Sequence, residues 1–260
     1  MDERLSAFGR LLDIMDKLRE ECPWDKKQTM ESLRNLTLEE AYELADSITE
    51  NNLEDIKQEL GDLLLHIVFY ARIGSELNSF DIKDIIEFIN EKLVYRHPHV
   101  FGDTKVADEN EVKENWEHLK IRESKSRTVL SGVPVALPAL IKANRIQDKV
   151  KGVGFDWEKK EQIWDKVMEE LKELREEIHY EDRRKIESEF GDLFFSLVNA
   201  ARLYDIDPET ALEKTNRKFT KRFNYLESKT MAEGRSLKHM TLDEMNVIWE
   251  EAKKLDDDQP

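Results

Sequence analysis

Apolar residues recur along this chain at intervals of three and four, not at alternate positions. Ile56, Leu60, Leu63, Leu64, Ile67 and Ala71 follow the i, i+4, i+7, i+8 spacing of one helix face. Ile186, Phe190, Leu193, Phe194, Leu197 and Ala201 repeat it. In the first half the pattern predicts helices over 4–20, 30–50, 53–77, 82–95 and 109–123. Gly (9) and Pro (6) are scarce and charged residues make up 38% of the chain, a mixture that suits amphipathic helices better than sandwiches or barrels. The expected fold class is all-α.

The polar positions repeat as well. Glu39, Glu40 and Glu43 are followed by Glu59 and Asp62, and 130 residues later Glu169, Glu170 and Glu173 are followed by Glu189 and Asp192. Asn90, Lys92 and Arg96 recur as Asn216, Lys218 and Arg222 at an offset of 126, and Trp116 with Lys120 recurs as Trp249 with Lys253 at 133. Several elements in one order at near-constant spacing indicate an internal duplication. Gly132, Pro134 and Pro138 mark the join. The expected organisation is a helical domain over 1–124, a linker over 125–137 and a second helical domain over 138–260, each a bundle of four or five helices.

Residues three or four apart share a helix face, so Glu40 and Glu43 point one way, and so do Glu59 and Asp62 on the next helix. A short connection near residues 50–52 packs these helices antiparallel and brings the carboxylates together. Like charges so placed repel one another unless a cation compensates. Oxygen-only donors select Mg²⁺, with Mn²⁺ a second choice, over zinc. Such a metal neutralises charge developing on a phosphoanhydride and lowers the pKa of bound water. One Glu-Glu-x-x-Glu alone reads as solvated helix surface; its duplication together with a second acidic pair argues for a site.

The formal net charge of -16 disfavours a nucleic-acid polymer as partner, but a bound dication can invert the local field for a small phosphorylated ligand. Cys22 is the only cysteine, and the N-terminus lacks the layout of a signal peptide. No apolar run approaches the ~20 residues that cross a bilayer. A cytoplasmic protein that avoids membranes is expected.

Cations flank the acids unequally. Lys166 stands four residues before Glu170 and Lys185 four before Glu189, whereas the first half has Leu36 and Asp55 in those places. If these lysines bind phosphate, the second half is the main catalyst; simple Lys–Glu pairing is the plain alternative. Lys218 with Arg222 can clamp phosphate oxygens, and Trp249 with Lys253 can stack a base beside a cation. His97-Pro98-His99 is expected to be an extended loop, not a metal pair.

These motifs resemble the MazG family of nucleoside triphosphate pyrophosphohydrolases. Cys22-Pro23-Trp24-Asp25, the run from Arg96 to Asp103, the run from Val153 to Trp157, and Arg217-Lys218-Phe219 support the resemblance, which runs essentially from end to end. It implies a tandem all-α protein, usually a homodimer, that cleaves nucleoside triphosphates to monophosphate and pyrophosphate with Mg²⁺ and broad base tolerance. Carried onto this chain, Glu170, Glu173, Glu189 and Asp192 become the catalytic metal ligands, and Glu40, Glu43, Glu59 and Asp62 a second set. Lys166, Lys185, Lys218, Arg222, Trp249, Lys253 and Lys120 become nucleotide contacts. Two other readings stand beside it. A regulatory or docking module would bind nucleotide without turnover, and a di-iron bundle would need paired Glu-x-x-His motifs, of which only Glu176 with His179 fits.

Overall fold

The computed structural model describes residues 2–104, 106, 108, 112 and 128–257. Trp116 and Lys120, with the helix expected over 109–123 apart from Val112, lie outside the described residues. Ten α-helices and no strand stand among those described, in two compact units, Met1–Trp116 and Glu117–Pro260. No helix among them is long and apolar enough to cross a membrane.

Unit 1 contains α1 (Glu3–Glu21), α2 (Met30–Glu50), α3 (Leu53–Glu76), α4 (Ile82–Arg96) and the one-turn α5 (Pro98–Phe101). Each long helix begins where a side chain satisfies orphan backbone amides. Asp2 accepts from the Arg4 amide, Thr29 and Ser32 cap α2 reciprocally, and Asp81 and Asp84 do the same for α4. α2 ends at Asn51, whose φ of 55° is left-handed, and Asn52 then accepts from the amides of Glu54 and Asp55. This two-residue reversal lays α3 back along α2. Met15, Leu33, Val68, Phe69 and Ile73 form the core, with Leu36, Leu65 and Tyr70 packed against it.

Unit 2 contains α6 (Ala139–Lys151), α7 (Ile163–Tyr180), α8 (Arg183–Leu203), α9 (Pro208–Ala232) and α10 (Leu242–Asp257). The reversal recurs 130 residues on. Glu181 takes the left-handed conformation at φ 60° and Asp182 caps α8 by accepting from the Arg184 and Lys185 amides. One core cluster joins Ile163, Val167 and Ala200; a second joins Leu226, Met240 and Ile248, with Trp249 against it.

One local expectation is corrected. His97-Pro98-His99 is not extended: Pro98 opens α5, because the amide that proline lacks has no acceptor in a helix's first turn anyway.

Candidate metal centres and an adjoining cavity

The α2–α3 hairpin brings carboxylate oxygens of Glu40, Glu43 and Glu59 within 4.8 Å of one another, and the α7–α8 hairpin does so for Glu170, Glu173 and Glu189. Each trio takes two acids from one helix and one from the next, which is the convergence that the i, i+3 spacing demands. Asp62 and Asp192, one turn further on, stand outside the trios, but their charges act on Glu59 and Glu189.

Glu43 and Glu173 are exposed, whereas Glu59 and Glu170 sit where α2 meets α3 and α7 meets α8 and lose water as well as meeting like charges. Glu59 is 7% exposed and Glu170 6%. Burial, followed by the charges of Glu43, Asp62, Glu40 and Asp55, pushes the Glu59 carboxyl up. Burial and the charges of Asp62, Glu43 and Glu39 raise Glu40, against a hydrogen bond shared with Glu59. In unit 2, burial followed by Glu173, Asp192, Glu170 and Glu177 raises Glu189. Oε2 of Glu59 is buried with no hydrogen-bond partner. An orphaned carboxylate oxygen amid like charges, with neither thiol nor imidazole in the trio, fits a hard dication.

A stability prediction follows from the sign of these shifts. A carboxyl whose folded pKa is raised favours the fold below its unfolded value, near 4.5, and that contribution disappears as pH rises through the folded value. At neutral pH without a cation, Glu40, Glu59 and Glu189 therefore destabilise their units. Glu59→Gln is expected to raise the thermal midpoint in EDTA and to shrink the gain on adding Mg²⁺. A variant that melts below the wild-type chain in EDTA would contradict the repulsion argument.

The flanking cations are placed unequally. Lys166 Nζ lies 2.7 Å from Glu170 and 2.9 Å from Glu169; those bonds hold the ammonium well above its ordinary range. Lys185 is largely exposed and reaches Glu177 at 3.3 Å. Lys253 pairs with Glu250 at 2.6 Å, and the Trp249 ring lies 5.0 Å from that of Phe219. Lys218 is exposed and Arg222 half-buried. Of these cations and Trp249, Lys166 alone shares a wall with the acids in the cavity described next.

A cavity of about 620 Å³ opens within unit 2, lined by α6, the segment 154–157, α7 and α8. Lys166, Glu170 and Asp192 line it together with the aromatic rings of Phe155, Trp157 and Phe195. Gly154, at φ 84°, turns the chain out of α6, and Asp156 then anchors the segment to α8 through a two-bonded ion pair with Arg202. Arg202 also donates to Asn199 Oδ1 at 2.7 and 3.0 Å. Burial pushes the Asp156 carboxyl up, but hydrogen bonds from Arg202 and the Trp157 backbone, with the Arg202 and Lys151 charges, hold it below its ordinary value. The sequence expectations had no role for Gln147, Asn199 or Asp156. The available signal was the polar pairs Asn144 with Gln147 and Ser196 with Asn199, each three residues apart and so on one helix face.

Comparison with known proteins places these features among relatives. The model of the MazG nucleotide pyrophosphohydrolase domain matches twice, over residues 28–101 and 158–226. The chain is 44% identical over 257 residues to a Thermotoga maritima protein named nucleoside triphosphate pyrophosphohydrolase/pyrophosphatase MazG, covering 97% of this chain and 98% of the relative. It is 40% identical to the Escherichia coli K12 nucleoside triphosphate pyrophosphohydrolase, covering 96% of this chain and 98% of that one. The uncharacterized protein YabN of Bacillus subtilis is 46% identical over 95% of this chain, which spans 52% of its length.

Proposed function

This chain belongs to the MazG nucleotide pyrophosphohydrolase family, and from that premise we propose that it hydrolyses nucleoside triphosphates to monophosphate and pyrophosphate, with Mg²⁺ and broad base tolerance, in nucleotide-pool house-cleaning. The observation that carries the reading is the duplicated trio of converging carboxylates, one of them beside a lysine and a cavity of ligand size.

In unit 2, Glu170, Glu173, Glu189 and Asp192 would hold the metal; in unit 1, Glu40, Glu43, Glu59 and Asp62 would do so. Bound Mg²⁺ neutralises phosphate charge and activates water. The protein's own part is to position and to balance charge. Two helices joined by a two-residue turn hold the acids at fixed separation before any ligand arrives, so little reorganisation is left for the reaction. Lys166, bonded to Glu170 and Glu169, is placed to exchange those partners for a phosphate oxygen. Lys185, Lys218, Arg222, Trp249 and Lys253 would make further nucleotide contacts, and Lys120, outside the described residues, is a candidate for another. Leu36 and Asp55 stand where unit 2 has Lys166 and Lys185, so unit 2 is the main catalyst. The working form is a cytoplasmic homodimer, in keeping with the exposed apolar residues Leu60, Leu64 and Ile67 on α3 and Phe190, Phe194 and Leu197 on α8.

The test is a panel of nucleoside triphosphates with pyrophosphate detection, with and without Mg²⁺. Metal-dependent release across several bases is expected. Nucleotide binding with no release would favour a regulatory module instead.

A further inference from the structure

The two acid trios share a geometry and differ in the charges around them. In unit 2, Lys166 Nζ lies 2.7 Å from Glu170, whose side chain is 8% exposed, and 2.9 Å from Glu169. A positive charge therefore already stands against the buried acid of that trio, in a charge-assisted bond of the stronger kind. Nearer the turn, Lys185 pairs with Glu177 at 3.3 Å.

Unit 1 has neither lysine. Leu36, at the position of Lys166, packs against the apolar core. Asp55, at the position of Lys185, is held at the turn by a 2.6 Å bond from Asn52 Nδ2, and its negative charge acts on Glu59. The charges that act most strongly on Glu59 all come from acids, and its Oε2 is buried with no hydrogen-bond donor. At 7% exposure, water cannot make good that deficit. A desolvated carboxylate oxygen among like charges stays costly until a cation reaches it. In unit 2 a dication entering the trio would meet the Lys166 ammonium on the same desolvated carboxylate, where like charges repel strongly. That conflict ends once Lys166 receives another anionic partner, which a triphosphate supplies.

We propose that unit 1 holds a resident divalent cation in the absence of nucleotide, whereas unit 2 takes up its cation together with the triphosphate, with Lys166 coupling the two events. The second half rests on the pyrophosphohydrolase reading, which supplies the triphosphate; the first half does not. Coupling of this kind is reciprocal, so nucleotide and cation raise one another's affinity for unit 2 by the same factor. Unit 1 is then a loaded frame at all times, and unit 2 a site completed by its own substrate. Lys166 acts as a counter-ion that keeps the empty α7–α8 hairpin from demanding a metal.

Equilibrium dialysis of the full chain against Mn²⁺, which suits the same oxygen donors, counts the bound ions. Without nucleotide the wild-type chain should hold one ion per chain. Glu59→Gln should weaken it by at least about tenfold, the loss that follows even from removing a supporting partner of a metal ligand, and Glu189→Gln should leave it in place. Lys166→Leu, which copies unit 1, should add a second ion without nucleotide. With α,β-methylene adenosine triphosphate in both chambers, which resists cleavage at the α–β bridge, the wild-type chain should take up that second ion, a comparison that needs no variant. Two ions or none on the wild-type chain without nucleotide would overturn the proposal, as would a single ion lost in Glu189→Gln and kept in Glu59→Gln. So would a Lys166→Leu chain with a wild-type circular dichroism spectrum that still holds one ion. Pyrophosphate release by the wild-type chain is measured separately: one Glu59-dependent ion without release would sink the parent reading and keep the resident ion of unit 1, and release by a chain that binds two ions before nucleotide would do the reverse.

Discussion

Changing Glu189 to Gln is expected to lower pyrophosphate release by about 100- to 1,000-fold, the range seen when one preorganised electrostatic contact is removed from a reacting centre. Glu189 is the α8 member of the unit 2 trio, half-buried and raised in pKa by burial and by four neighbouring acids. The amide has the same shape and lacks the charge, so the helix hairpin should survive while a dication held there would lose one of its anionic ligands. The circular dichroism spectrum should match the wild-type spectrum. Glu59→Gln, its counterpart in unit 1, should leave most of the turnover in place, because Leu36 and Asp55 stand where unit 2 carries Lys166 and Lys185. Wild-type turnover in Glu189→Gln would remove the α7–α8 acids from the reaction. Equal loss in both variants would show that both units contribute.

Asp156→Ala is expected to cost about 3 kcal/mol of folding free energy, the cost of stranding one member of a buried ion pair. Arg202 is 8% exposed at its side chain and Asp156 19%, so the guanidinium left behind would stay desolvated with only Asn199 to accept from it. The pH dependence has a definite sign. The Asp156 carboxyl is held below its ordinary 3.8 in the folded chain, so its stabilisation is present above that unfolded value and is lost as pH falls through the lower folded one. Urea titrations should show the full difference between variant and wild type at pH 7 and a shrinking one under strongly acid conditions. A difference below about 1 kcal/mol at pH 7, the range of solvated pairs, would show that water reaches the pair. Because Asp156 lies between Phe155 and Trp157, the variant should also loosen the aromatic wall of the cavity.

Much of this architecture was legible one residue at a time. The apolar set from Ile56 to Ala71 placed α3 to within a residue of its observed end, because a helix buries one stripe and the stripe has a fixed period. The 130-residue offset announced two units, and the i, i+3 acids with a short reversal announced that carboxylates would meet. His97-Pro98-His99 was misjudged because proline's local restriction is the same whether it extends a loop or opens a helix; the carbonyls around it decide.

What the sequence determined by itself is whatever depends on neighbours along the chain: helix faces, caps, the duplicated hairpin and the charge gathered on it. Only tertiary packing could decide which carboxylate would be buried without a partner, that Lys166 would turn to Glu170 while Lys185 turned to Glu177, and that Gln147 would be held against Phe195 from 48 residues away. The physical reason is that burial and hydrogen-bond partnership belong to pairs of distant groups. One frame, repeated, is solid around Met15 and hollow beside Gln147, and the difference lies in side-chain volumes that meet only once the helices have packed.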